Sequence, residues 1–294
     1  MCCYKVLLHL PLLLFVVHGE FSADFRVFIH NRYGIAVVNQ LERADLGADA
    51  SAGGRAPGAA PSAEEAAVIV HGISNKISRF NGILQALGAR GIEAYGTTWG
   101  DGGMTPVGLV ELKSPFRSMI IAVREYTGKK VDVIAYSMGS PLARKAILGG
   151  VCVDTRELLG VPLTEHVDTF LSVAGANNGA ALCVLPALLP LGTCNRKNGL
   201  HCESEFLTDV NARTRYEGTN TFSIFSADDE KAIILRAVLA LLLTRKFIGY
   251  RTCARLSSPV VGGSGFVKKS GSHDEVLDNT IEMQINFIRR HRPK

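Results

Sequence analysis

The chain has 294 residues, of which 47% are hydrophobic and 20% charged, and its formal net charge is +5 at pH 7. This length fits one large α/β domain, and the apolar share can fill a sizeable core, which excludes a disordered or fibrous chain. The positive charge is mild and forms no dense Lys/Arg cluster, so no nucleic-acid partner is expected.

The first residues are typical of an export signal. The apolar run from Val6 to Val17 follows Lys5 and precedes the small residue Gly19. Because this run is shorter than a bilayer span usually requires, it predicts a secretory signal peptide over residues 1–19, with a buried N-terminal helix as the alternative. We therefore expect a secreted, extracellular protein with no transmembrane segment in the mature chain.

Cysteine usage fits export. Five of the seven cysteines follow the predicted signal: Cys152, Cys183, Cys194, Cys202 and Cys253. An oxidising compartment favours disulfides, and the pair that flanks a short polar loop, Cys194 and Cys202, is the expected one. The odd count leaves one thiol unpaired. No His/Cys spacing suits zinc, so no metal site is expected.

The chain after the signal predicts a single domain over 20–294. Residues 46–67 are rich in Ala, Gly, Pro and Ser and predict a flexible loop. Apolar runs then predict strands at 67–70, 92–98, 131–135, 167–173 and 221–225. Helical spacing predicts helices at 77–89, 116–126, 138–148 and 275–290. This alternation, with several strands apolar throughout, predicts an α/β fold: a mostly parallel sheet with helices on both faces.

The strand over 131–135 leads directly into Ser137 and a helix, which is the strand–turn–helix context of a nucleophile elbow. The residues two before and two after the serine must be small, because strand and helix backbones nearly touch there. Ala135 and Gly139 meet this condition. A small-x-Ser-x-Gly match also arises by chance, but its flanking elements favour Ser137 as the nucleophile of a serine hydrolase.

A serine nucleophile needs a base held by an acid, in the chain order Ser, Asp or Glu, His. Asp228 follows the strand that ends at Phe225, and Asp229 is the alternative acid. His273 lies in the loop before the final helix and is the expected base. His291 also follows both acids, but it lies in a basic tail where we expect it to be solvated.

The oxyanion that forms on the substrate needs backbone N–H donors. Met138 follows the nucleophile and supplies one donor. Ile73 is the expected second donor, since Gly72 before it lets the backbone approach the substrate. His71 is expected to be a structural hydrogen-bonding residue rather than a base.

Together these residues resemble the lipase class 2 family, in particular its secreted nematode-type branch. The matching stretches are VHGIS (70–74), AYGTTWGD (94–101), VDVIAYSMGSPLARKAILGG (131–150), CVDT (152–155), VDTFLSVAGANNG (167–179), NGLHC (198–202) and HDEVLDNT (273–280). The resemblance runs from about residue 68 to the end. It implies the α/β-hydrolase fold, hydrolysis of esters or triacylglycerols, and no cofactor.

By motif position, the resemblance implies Ser137 as nucleophile, Asp228 as acid and His273 as base. It places the oxyanion donors on the backbone of Ile73 and Met138.

One segment departs from the family pattern. There the Asp-Asp-x-Lys motif is followed promptly by Gly-Tyr-x-Thr-Cys, whereas here residues 232–248 separate the two. Three interpretations are open: an amphipathic flap that binds a lipid interface, an ordinary packed helix, or a translation artefact such as a retained intron.

The expected function is that of a triacylglycerol lipase, a monomer acting on an ester or lipid substrate, with a lipid–water interface as its expected place of action. A short-chain carboxylesterase or acyltransferase is the alternative among enzymes. A catalytically inactive hydrolase-fold protein that binds lipid is the alternative outside them. The sequence does not rank acyl chain lengths, because the pocket walls come from loops.

Overall fold

The computed structural model describes residues 20–55, 57–102, 115–180, 183, 192–226, 228–229 and 257–294. The predicted signal peptide (1–19) and the 232–248 segment lie outside these residues. Within them, no helix has the length and apolar character needed to cross a bilayer.

The described strands are β1 (Ser51–Ala52), β2 (Ala66–Val70), β3 (Ala94–Thr97), β4 (Val131–Tyr136), β5 (Gly150–Val151), β6 (Leu158–Gly160), β7 (Val167–Val173), β8 (Asn220–Ser226) and β9 (Gly265–Lys269). Seven of them form one sheet in the order β1-β3-β2-β4-β7-β8-β9, while β5 and β6 pair separately. All neighbours in the large sheet are parallel except β1 and β3, which are antiparallel. The predicted mostly parallel sheet is confirmed.

The described helices are α1 (Ala23–Tyr33), α2 (Ile35–Glu42), α3 (Asn81–Gly88), α4 (Phe116–Thr127), α5 (Gly139–Leu148), α6 (Glu205–Asn211), α7 (His273–Asp278) and α8 (Ile281–Arg290). They cover both faces of the sheet. One core includes side chains of α1, α4, α5 and α6. The other includes side chains of α3, α7 and α8. Every residue of β2 and β4 is buried between these layers, which explains why both strands are apolar with almost no alternation.

Several described elements differ from the predicted ones. Within the expected flexible loop, β1 pairs with β3 and is buried, so that expectation is wrong for this part of 46–67. The helices α1, α2 and α6 and the strands β5, β6 and β9 were not predicted. The single helix predicted over 275–290 is instead two helices that meet at Asn279 and Thr280.

The disulfide expected between Cys194 and Cys202 is also wrong. Cys194 pairs with Cys183, with their Cα atoms 4.8 Å apart. The Cys183 sulfur also lies 3.8 Å from the carbonyl oxygen of Thr193, the residue before Cys194. Cys202 is disulfide-bonded as well, and Cys152 is a buried free thiol.

Candidate active site

The turn after β4 has the geometry of a nucleophile elbow. Ser137 has φ of 54°, in the left-handed region that non-glycine residues seldom occupy. α5 begins two residues later at Gly139, where a Cβ would collide with the carbonyl oxygen of His71. The glycine is therefore required by a close approach of two backbones, as the sequence predicted.

The strained backbone of Ser137 is held by hydrogen bonds on both sides. Its N–H donates to the carbonyl of Val173 at 3.0 Å. Its own carbonyl accepts from the N–H groups of Ser140 at 3.1 Å and Ala176 at 3.2 Å. Since these partners lie on α5 and at the end of β7, the neighbouring elements fix the position of the serine hydroxyl.

A line of hydrogen bonds runs from the serine to a carboxylate. The hydroxyl of Ser137 lies 2.8 Å from His273 Nε2, and His273 Nδ1 lies 2.6 Å from Asp229 Oδ2. His273 and Asp229 are 4% and 1% exposed, while Ser137 is partly exposed. Three strand ends supply the groups, since Ser137 follows β4, Asp229 follows β8 and His273 follows β9. A buried carboxylate on Nδ1 holds the imidazole with Nε2 free to accept the serine proton.

The acid in this line is Asp229, not Asp228. Asp228 is exposed, and its N–H donates to the hydroxyl of Ser226 at 2.9 Å. Adjacent side chains of a non-helical segment point in different directions, so only one of the two carboxylates can face the histidine. The expectation of Asp228 is corrected to the alternative that the sequence left open. His291 lies away from the site, 3.1 Å from Asp168.

The two expected oxyanion donors flank the nucleophile. A Cβ on Gly72 would lie only 2.9 Å from Ser137 Cβ and 3.4 Å from its hydroxyl oxygen, so this backbone runs beside the nucleophile. The next N–H is that of Ile73, and the N–H of Met138 lies on the other side, where α5 begins. Neither N–H donates a hydrogen bond to any residue that the structure describes. Both are therefore available to a substrate oxygen.

His71 fixes the backbone from which Ile73 projects. Its Nε2 accepts from the N–H of Trp99 at 2.9 Å, and its Nδ1 donates to the carbonyl of Gly72 at 2.7 Å. The Trp99 indole N–H donates to the His71 carbonyl at 2.9 Å, and the two rings stack. Burial lowers the pKa of His71 to about 4, so the imidazole is neutral. This structural role agrees with the expectation from the sequence.

The neutral state of His71 predicts an acid-sensitive fold. The pKa of His71 is near 6.5 in the unfolded chain and about 4 in the folded chain. Between these two values the unfolded state binds a proton at this imidazole and the folded state does not. The free energy of unfolding should be independent of this group above pH 6.5 and should fall by about 3 kcal/mol as the pH drops to about 4. Urea unfolding followed by the fluorescence of Trp99, the single tryptophan, measures it.

Two histidine variants test this prediction, His71→Asn and the control His30→Asn. His71→Asn should be less stable at neutral pH, since two hydrogen bonds change, yet its stability should depend less on pH between 6.5 and 4. His30 is exposed, so His30→Asn should keep the wild-type dependence. An unchanged slope in His71→Asn would assign the acid sensitivity to other groups.

A buried polar network beneath the elbow was not predicted from the sequence. The amide of Asn177 donates to the Ser172 hydroxyl at 2.8 Å and to the Ser258 carbonyl at 2.6 Å, and its oxygen accepts from the Ser140 hydroxyl at 2.9 Å. It joins the first turn of α5 to β7 and to the segment at Ser258. The only signal in the sequence was that Asn177 lies in one of the family-like stretches.

No cluster of three or more His, Cys, Asp or Glu side chains that could hold a metal ion occurs among the described residues. The described groups at the site are instead a hydroxyl, an imidazole, a carboxylate and free backbone N–H groups. These are the components of acyl transfer through a serine nucleophile.

Solved structures share this fold at low sequence identity. Bacillus licheniformis lipase BlEst2 in mature form is 12% identical, with a TM-score of 0.54 over 81% of this chain and 96% of that one. The propeptide form of that lipase is 12% identical, with a TM-score of 0.55 over 81% of this chain and 52% of that one. Aspergillus fumigatus lipase B is 13% identical, with a TM-score of 0.53 over 78% of this chain and 53% of that one. The chain thus spans about half the length of the last two.

The family itself is shown by sequence. No curated protein matches the chain, but residues 64–286 match the family model of Lipase (class 2). The match covers well over half of the chain and contains Ile73, Ser137, Met138, Asp229 and His273. The chain belongs to the class 2 lipase family and is a carboxylic ester hydrolase.

Proposed function

We propose that this chain is a secreted lipase that cleaves the ester bonds of triacylglycerols with Ser137 as nucleophile, His273 as base and Asp229 as acid. The observation that carries the proposal is the line of hydrogen bonds from Ser137 through His273 to Asp229, at 2.8 and 2.6 Å. A serine at φ 54°, beside two free backbone N–H groups, supports it.

The proposed reaction has two acyl-transfer steps. His273 Nε2 takes the Ser137 proton as the serine oxygen attacks the ester carbonyl, and the N–H groups of Ile73 and Met138 stabilise the oxyanion. As the tetrahedral intermediate collapses, His273 gives its proton to the leaving alcohol. Water, deprotonated by the same imidazole, then hydrolyses the acyl-enzyme. Asp229 orients His273 and stabilises its transient positive charge.

Secretion is proposed on two grounds. The apolar segment at residues 1–19 has the order of a signal peptide. The disulfide between Cys183 and Cys194 is the kind of bond that persists in oxidising compartments. Membership of the nematode-type branch, a monomeric state and action at a lipid–water interface stay predictions.

A fluorophosphonate probe tests the nucleophile directly. The purified protein with intact disulfides should be labelled on one serine, and peptide mapping should identify it as Ser137, because only an activated serine attacks the probe's phosphorus. Prior heat denaturation should abolish the labelling. Labelling of another residue, or none in the folded protein, would contradict the proposed site and favour an inactive lipid-binding protein.

Turnover of a series of esters tests the substrate class in the same preparation. We expect emulsified long-chain triacylglycerols to be hydrolysed faster than soluble short-chain esters. The opposite order, with Ser137 still labelled, would keep the mechanism and replace the lipase by a short-chain carboxylesterase.

A further inference from the structure

The side chain before the nucleophile contacts the proposed base. Tyr136 is 2% exposed, and its hydroxyl donates to Asp274 Oδ1 at 2.7 Å and lies 3.4 Å from the carbonyl oxygen of His273. Its ring lies against the His273 imidazole, with the ring centroids 4.9 Å apart. None of the steps of ester hydrolysis uses this phenol, so its contacts need another explanation.

The phenol is suited to act as a permanent donor. Burial, and then its hydrogen bond to Asp274, raise the pKa of Tyr136 well above its ordinary value, so the hydroxyl keeps its proton throughout the working pH range. A hydrogen bond to a charged carboxylate is stronger than one between neutral groups. The contact is therefore a directional hydrogen bond from the end of β4 to Asp274, the residue that follows His273.

α7, the helix that begins at His273, needs contacts of this kind with the rest of the fold. α7 has only six residues and is capped by Ser272 and Glu275, and a helix this short is not stable without tertiary contacts. At its far end Arg79 makes two hydrogen bonds to Asp278, at 2.8 and 2.7 Å, but both side chains are substantially exposed. Exposed ion pairs contribute little. Asp274 is exposed as well, but the Tyr136 phenol that bonds to it is buried and also packs on the His273 ring, so of the two contacts this one has the larger influence on where His273 lies.

We infer that Tyr136 is a positioning residue, whose hydroxyl and ring hold His273 at hydrogen-bond distance from Ser137. Tyr136 and Ser137 are consecutive residues, so the strand that positions the serine also positions its base. The inference rests on the proposed function, because positioning matters only if Ser137 and His273 react with substrate.

The substitution Tyr136→Phe removes the hydroxyl and keeps the ring. We expect kcat for a chromogenic ester to fall by about tenfold to a hundredfold, since small misplacements of catalytic groups have effects of this size. KM should change by less than about twofold, because substrate binding does not involve the phenol. The rate of fluorophosphonate labelling at Ser137 should fall with kcat.

Variants of Asp274 separate positioning from a general loss of stability. Asp274→Asn keeps an acceptor oxygen for the phenol and should retain most of kcat, whereas Asp274→Ala should share the loss of Tyr136→Phe. The double variant Tyr136→Phe/Asp274→Ala should be no worse than either single one, because all three break the same bond. Asp278→Ala removes the exposed ion pair with Arg79 at the other end of α7 and should leave kcat nearly unchanged.

Wild-type kcat in Tyr136→Phe would overturn the inference. Equal losses in Asp278→Ala, or additive losses in the double variant, would overturn it too, because they would show a general loosening of α7. If the wild-type protein neither hydrolyses esters nor is labelled, the proposed function fails instead. The NMR signal of the His273 Nδ1 proton, which its buried bond to Asp229 protects from exchange with water, then decides. Broadening in Tyr136→Phe but not in Asp278→Ala supports the inference, and no difference refutes it.

Discussion

Ser137→Ala is expected to lower kcat for ester hydrolysis by about 10⁵- to 10⁶-fold while the protein stays folded. The substitution removes the only atom that attacks the carbonyl, and the oxyanion donors alone account for the small remaining rate. The fold should persist, because the bonds that hold position 137 involve its backbone rather than its hydroxyl. Chromogenic ester turnover and thermal unfolding of the purified variant measure the two effects.

Ser74 provides a matched control for this experiment. It has the same φ of 54° and is exposed, so Ser74→Ala makes the same chemical change in the same backbone conformation. Its kcat should stay close to that of the wild type. Turnover in Ser137→Ala at or near the Ser74→Ala rate would show that another group performs the attack.

Asp229→Asn is expected to lower kcat by about 10⁴-fold, whereas Asp228→Asn should change it by less than about twofold. The amide at 229 has neither the charge that stabilises a protonated His273 nor a defined preference for accepting its Nδ1 proton. Asp228 is exposed and its hydrogen bond to Ser226 is made by the backbone N–H, so we expect its carboxylate to take no part. Steady-state kinetics of the two variants, prepared in parallel, give the comparison.

The pair of variants distinguishes two assignments that differ by one residue. A large loss in Asp228→Asn with an active Asp229→Asn would restore the assignment implied by the family resemblance. Comparable large losses in both would indicate that the segment rather than one carboxylate is needed.

The part of the site that sequence predicts well is the part encoded locally. β4 is an unbroken buried strand and Gly139 opens the following helix, so the elbow at Ser137 is visible in consecutive residues. His273 could be predicted because the order of the groups along the chain is fixed in this fold. The sequence does not decide between Asp228 and Asp229, since the position of each carboxylate depends on the path of the chain after β8.

The elements that were missed lack a strong pattern. α1 buries few of its side chains, chiefly Phe25 and Ile29, so its apolar positions are too sparse for a helical period. β9 is the last strand of the described sheet and is largely exposed, with two lysines at its end. β1 has only two residues and exists because β3 offers a free edge. Pairing of this kind depends on tertiary context rather than local propensity.

Disulfide connectivity shows the same limit. Cys194 lies closer in sequence to Cys202 than to Cys183, yet it bonds with Cys183. Spacing alone does not tell which cysteines meet in the folded protein.

The assembly of the site from three strand ends ties catalysis to folding. The bond between Ser137 and His273 joins residues 136 positions apart, and the bond between His273 and Asp229 joins residues 44 apart. Neither can form until β8 and β9 have been added to the sheet beyond β4 and β7. Such distant contacts are slow to form, so a chain that has made its early helices and inner strands still lacks a complete triad. Recovery of esterase activity during refolding would therefore mark completion of the sheet, a later event than the recovery of helical structure.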